Sequence, residues 1–124
     1  MKDEKRRDQF LVSEMVAHSE VLATVVQKGR DSLESDRLDR YAAEHATELL
    51  AEAAEKVSHA FKKANPKVPW DRLRPLRREV AHPYDTGASG VVVERLWQFV
   101  TKDAPRISRQ LRKARFPTTD EASE

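Results

Sequence analysis

Arg77 and His82 are the residues of this chain best suited to work on a phosphodiester. They lie in Arg77-Arg78-Glu79-Val80-Ala81-His82-Pro83-Tyr84, an arginine, four residues, a histidine, one residue and a tyrosine. Arginine is a permanent cation whose planar fork of donors matches phosphate, and histidine is the side chain whose unperturbed pKa lies near neutrality. Together they can hold phosphate and move protons without a metal ion. The spacing alone decides little, because 23 Lys and Arg among 124 residues place some arginine near a histidine by chance. On a straight helix, five residues separate Arg77 from His82 by about 140°, whereas Arg78 and His82 share a face. Pro83 biases His82 away from helical dihedrals, so the helix is expected to end there and the imidazole to swing toward Arg77.

The rest of the chain must position these residues, and its composition limits how. A chain of 124 residues fits one domain with one core. There is no cysteine, which removes disulfides, thiolate metal sites and thiol nucleophiles. No apolar run approaches the ~20 residues of a membrane span. Met1 to Asp8 is charged and no apolar signal region follows, so a cytoplasmic location is expected. A net charge of +2 means that any nucleic-acid footprint must be local. Charged residues at 35% suit helices with well-solvated outer faces.

The breakers are few: Gly at 29, 87 and 90, and Pro at 66, 69, 75, 83, 105 and 117. Between about Asp3 and Gln27, Leu11, Met15, Val16, Leu22, Val25 and Val26 recur at three- and four-residue steps, with Gly29 at the expected stop. Ser35 is the expected cap of a second long helix reaching about Lys63, with the stripe Leu38, Tyr41, Ala42, His45, Leu49, Ala53, Val57 and Phe61. Asn65-Pro66 ends it. Pro69 opens a short turn before Trp70, and Pro75 predicts a motif helix that starts near it and runs to His82. Tyr84 to Gly87 reads as a loop. Val92, Val93, Leu96, Trp97 and Val100 mark another helix, and Pro105 begins a last one to about Arg115, with Ile107, Leu111, Ala104 and Ala114 on its thin apolar side. The expected architecture is all-α: a bundle of two long antiparallel helices plus shorter ones in a single domain over 1–115, with a disordered tail over 116–124.

Asn65-Pro66-Lys67-Val68-Pro69-Trp70, Leu76-Arg77, His82-Pro83-Tyr84-Asp85, Trp97-Gln98-Phe99-Val100 and Asp103-Ala104-Pro105 together resemble the pattern of HepT-like proteins in the HEPN superfamily. Ala51-Glu52-Ala53-Ala54 is similar to that family's Gly-Glu-Ala stretch, and the resemblance covers roughly Arg40 to Arg115. It implies a HEPN-like helical fold, a homodimer, and a metal-independent endoribonuclease, without cofactor, whose catalytic Arg and His correspond to Arg77 and His82. It also implies a type VII-like toxin–antitoxin pairing, in which a minimal nucleotidyltransferase (MNT-type) antitoxin adenylylates the tyrosine that corresponds to Tyr84. Arg78, Glu52 and Asp85 are candidate supporting residues. Two positions depart from the pattern: Arg78 stands where a small polar residue, often Asn, is usual, and Ala51 stands for the glycine. Arg78 keeps a second reading open, a non-catalytic HEPN domain that binds nucleotide or scaffolds a nucleotidyltransferase.

Cleaving RNA through its own 2′-hydroxyl needs a base for that proton, an acid for the leaving 5′-oxygen and positive charge on the phosphorane. One histidine does not readily supply all of this, and a two-fold dimer would bring two. Tyr84 follows Pro83 in a polar loop, where its hydroxyl would be open to modification. Elsewhere plainer roles suffice. Trp70 and Trp97 read as core anchors, with base stacking the rarer alternative for either. Arg106, Arg109, Arg112 and Lys113 read as a solvated helix face before a phosphate-tracking one. Glu52 reads either as a buried acid orienting the site or as an arginine's partner. His45 and His59 stand fourteen residues apart, roughly 21 Å along one helix, and cannot share an ion; they and His18 read as interface or boundary residues.

Overall fold

The computed structural model describes residues 2–81 and 89–117, with side chains described for 3–75 and 93–117. Among the described residues seven α-helices follow one another: α1 Lys2–Lys28, α2 Arg30–Ser35, α3 Arg37–Lys56, α4 His59–Ala64, α5 Trp70–Ala81, α6 Ser89–Gln98 and α7 Ala104–Arg112, the last two joined by a π-helical segment, Phe99–Asp103. Among the described residues there is no strand, as the all-α expectation required. Nor is any helix among them long and apolar enough to cross a membrane.

α1 and α3 form the expected long pair, and side chains at both ends show that they run antiparallel. Near the start of α1, the buried Asp8 carboxylate accepts from the backbone N–H of Ser58 (2.9 Å) and from its hydroxyl (2.6 Å), just beyond the end of α3. At the other end, Lys28 Nζ lies 3.0 Å from Asp39 Oδ1 in the first turn of α3. α1 presents Met15, Leu22 and Val25 to the core, and Gly29 follows it with φ 91° and ψ 166°. A side chain rarely adopts that backbone conformation. α7 packs on α1, where Arg112 donates to Glu20 at 3.0 Å, and α5 packs mainly on α3.

Two helix boundaries depart from expectation, and a third is reached by an unexpected route. Ser35 closes α2 and caps nothing; Asp36 caps α3, its carboxylate accepting from the N–H groups of Leu38 (2.9 Å) and Asp39 (3.2 Å). The helix expected to reach Lys63 breaks at Val57 and Ser58, because Asp8 takes the Ser58 donors while Ser58 Oγ accepts from Phe61 N and starts α4. Pro105 stands in the first turn of the last helix, α7, as expected, but that helix follows α6 without a break. Its ring would strike the carbonyl of Thr101 in a regular α-helix, and the wider π turn just before it, where Ala104 N–H bonds to Phe99 O, lets α6 run on into α7.

The buried face of α3 keeps Ala53 of the expected stripe, with Val57 and Phe61 buried beyond its end, but differs from that stripe over its first half. Ala43, Ala46, Thr47, Leu50, Ala51, Ala53, Ala54 and Val57 are buried, while Leu38, Tyr41 and His45 are exposed. Both stripes have helical period. The alanine-rich one wins because small side chains let α1 and α5 approach α3 closely from two sides. Packing also reaches one residue past the expected domain boundary, since Phe116 lies against Phe61 with ring centroids 5.2 Å apart. Residues 118–124 lie outside the described residues.

Candidate functional site

Asn65 sets the entry to the motif helix. Its side-chain amide donates to Phe61 O (2.9 Å) and Arg115 O (2.8 Å), its Oδ1 accepts from Arg115 N (2.8 Å), and its own carbonyl accepts from the Trp70 indole N–H (3.1 Å). One residue thus ties the end of α4, the first residue of α5 and the segment after α7. From the sequence it reads only as a helix end; an amide before a Pro-containing turn is the one hint of more. Trp70 also meets the fully buried Phe61 edge-on, centroids 6.0 Å apart, which bears out its reading as a core anchor. Trp97 is half-buried against the core as well.

α5 therefore starts at Trp70, not near Pro75. Pro75 lies inside it on an exposed position, where its missing N–H leaves the carbonyl of Asp71 without the usual helical partner. Leu73 is buried and holds α5 against the core, while Arg72 and Arg74 are exposed. Arg77 and Arg78 follow on the same helix; their side chains lie outside those described. His82, Tyr84 and Asp85 lie outside the described residues altogether. Glu52, on α3, is half-exposed and not buried, with Lys56 Nζ 3.1 Å from its carboxylate one turn on.

Beyond that segment, α6 is held from the other side. Arg30 of α2 is ion-paired with Glu94, which also accepts from Gln98 Nε2 at 3.1 Å. The Gln98 hydrogen bond and the Arg30 guanidinium hold the Glu94 carboxyl below its usual range, and the bonds to Glu34 and Glu94 raise Arg30. The chain between α5 and α6 is thus bracketed by two anchored helices. Two grooves flank α5. One, about 440 Å³, lies toward α3 and α4 and is lined by Glu55, Lys62, Trp70, Asp71 and Arg74 among others. The second, about 270 Å³ and more open, lies toward α6 and the π segment, with Arg72, Arg95, Asp71 and Asp103. Such mixed charge beside the exposed Arg72 and Arg74 suits a polyanion bearing hydrogen-bonding bases better than a small apolar ligand.

Of the other charged candidates, Arg106, Arg109, Arg112 and Lys113 are exposed along α7, the solvated face expected, with Arg112 tied to Glu20. Among the described residues, no three His, Cys, Asp or Glu gather as metal ligands.

A family model described as Ribonuclease HepT-like matches residues 15–114. The chain is 30% identical over 80 residues to the "Probable ribonuclease HepT" of Thermococcus cleftensis, covering 64% of this chain and 69% of that one. It is also 30% identical over 77 residues to the "Putative RNase MJ1380" of Methanocaldococcus jannaschii, covering 62% and 67%. A third similar protein, from Caldanaerobacter subterraneus, is 26% identical over 66 residues, covering 53% of this chain and 55% of its own length. No solved structure matches the chain at the same stringency.

Proposed function

Because the chain belongs to the HepT-like ribonuclease family, we propose that it is an endoribonuclease toxin in which Arg77 binds phosphate and His82 moves protons. The observation that carries this reading is the extent of the family match, which runs through the whole Arg77 to Tyr84 motif and both helices that bracket it. In the proposed reaction the RNA supplies its own nucleophile. A base removes the proton from a 2′-hydroxyl, the alkoxide attacks the adjacent phosphorus, and an acid returns a proton to the departing 5′-oxygen. Arg77 offsets the charge that gathers on the phosphorane oxygens. No metal ion enters the scheme.

Two histidines serve it better than one, and a second copy of the chain supplies the other. The unexpected outward stripe of α3 supports that partner. Leu38 is 79% exposed and Tyr41 57%, and Phe10 and Val21 are exposed on the antiparallel neighbour α1. His18 of α1 lies close enough to His45 of α3 for the two to interact electrostatically. A two-fold contact through this face would set two copies of α3 together, with each motif helix packed on its own α3. One His82 would then act as base and its counterpart as acid.

Tyr84 completes the proposal as the control point. A cognate MNT-type nucleotidyltransferase would transfer an adenylyl group from ATP to its hydroxyl, releasing pyrophosphate. The added phosphate would lie beside Arg77 and Arg78 and occupy the place of the RNA backbone. Purified protein carrying Tyr84-AMP, verified by mass spectrometry, is expected to lose RNA cleavage; an unchanged rate would refute this control. The nuclease reading is tested by comparing the wild-type protein with Arg77→Ala and His82→Ala on one RNA. Loss of cleavage by at least roughly a hundredfold in each is expected. Equal, residual cleavage in all three would favour the non-catalytic binding module that Arg78 keeps open.

A further inference from the structure

The groove between α3, α4 and α5 contains an aromatic ring, cations and carboxylates that the cleavage scheme leaves unused. Trp70 is held by two contacts, its N–H by the Asn65 carbonyl at 3.1 Å and its ring by a T-shaped pairing with Phe61. The same ring lines the groove, with Lys62 Nζ 5.9 Å from its centroid. Arg74 reaches the groove from the next turn of α5, and Glu55 and Asp71 complete its polar lining. At about 440 Å³ the space falls within the range of pockets that hold small organic ligands. A rigid indole is a stacking platform, and the flexible lysine whose ammonium now covers the ring would give way to a base and stay within reach of its phosphate. Carboxylates are wrong for phosphate but right for the exocyclic amine of a base.

We propose that this groove is a nucleotide subsite for the RNA strand: a purine base stacks on Trp70, its amine faces Glu55 or Asp71, and its phosphate meets Lys62 and Arg74. The inference rests on the ribonuclease reading and extends it. Trp70 and Arg77 lie seven residues apart on one helix, roughly 10 Å along its axis. A base seated on Trp70 would therefore be a near neighbour of the scissile phosphate, and the subsite would choose where the strand is cut.

Binding is the direct test, because it separates the subsite from the chemistry. A fluorescein-labelled 2′-O-methyl octaadenylate has no 2′-hydroxyl to attack with and survives whether or not the protein is a nuclease. Its Kd for the full chain would be measured by fluorescence anisotropy beside that of 2′-O-methyl octauridylate. The wild type is expected to prefer the adenine strand. Trp70→Leu should weaken octaadenylate binding roughly tenfold and remove most of the preference, with Trp70→Phe keeping part of it. Lys62→Gln with Arg74→Gln should lower the slope of log Kd against log salt by about 0.7 for each phosphate that no longer meets a cation. These two surface changes keep the test informative if Trp70→Leu fails to fold. Unchanged affinity, preference and salt slope in the folded variants would overturn the subsite, as would a wild type that binds neither strand. Failure of the ribonuclease reading would appear elsewhere, as cleavage indifferent to Arg77→Ala and His82→Ala.

Discussion

Asp8 and Thr47 show how differently two buried polar side chains can act. Asp8 satisfies the two Ser58 donors at the break between α3 and α4, so Asp8→Ala strands a backbone N–H and loosens the cap of α4. A loss of about 2 kcal/mol in denaturant unfolding is expected, and a loss under about 0.5 kcal/mol would contradict that role. Thr47 is fully buried, and among the described residues its hydroxyl has no hydrogen-bond partner. Thr47→Val keeps the shape and removes the unpaired group, so stability should rise by about 1 kcal/mol; a fall would mean that the hydroxyl has a partner. His18 links pH to stability. Burial holds its imidazole below the ordinary value of 6.5, with His45 adding to the drop and the Glu14 carboxylate opposing it. The unfolded chain therefore binds the proton first. This contribution is intact above about pH 6.5 and is lost as the pH falls toward the lower folded value. The thermal midpoint should drop between about pH 7.5 and 5.5, and His18→Gln should make that drop shallower; an unaltered slope would show that His18 does not carry it.

At the level of elements, what is legible in the sequence follows the signals that act locally. α1 and its stop at Gly29 are readable because periodicity and a glycine agree, and the stop has an ε-type conformation that a side chain tolerates poorly. Gly29→Ala meets no atom within 4 Å, so its cost is torsional, about 1–3 kcal/mol. Chemical denaturation that shows no loss would contradict the φ of 91°. The face of α3 is not readable, because two stripes share one period and only the approach of α1 and α5 chooses between them. Pro75 misleads for a related reason, and Pro105, which does open the last helix, gives no sign of the turn before it. Proline marks where a regular helix is costly, but the chain meets that cost within α5 on an exposed position and, before Pro105, by widening into a π turn. The break at Ser58 is only half legible, since serine is a common cap but Asp8, which takes its donors, is fifty residues away in sequence.

For the whole molecule, Arg77 of the motif falls within α5, the helix whose start Trp70 anchors. What the motif does not reveal is long-range, the Asn65 ties to Arg115 and the Arg30–Glu94 pair that holds α6. Neither partner hints at the other in sequence. The outward Leu38 and Tyr41 carry the prediction about assembly. Leu38→Glu with Tyr41→Glu places two charges on the proposed contact without touching the core, and light scattering is expected to show a dimer for the wild type and a monomer for the double variant. RNA cleavage should fall with it; a double variant that stays dimeric would move the interface elsewhere. In the proposed function Arg77 and His82 cut RNA through its own 2′-hydroxyl, without a metal ion. The most direct measurement is of the RNA ends left by purified protein in excess chelator. Wild type is predicted to leave 2′,3′-cyclic phosphates and 5′-hydroxyls, and His82→Ala to leave RNA intact. Cleavage that chelator abolishes, that yields 5′-phosphates, or that persists in His82→Ala would contradict it.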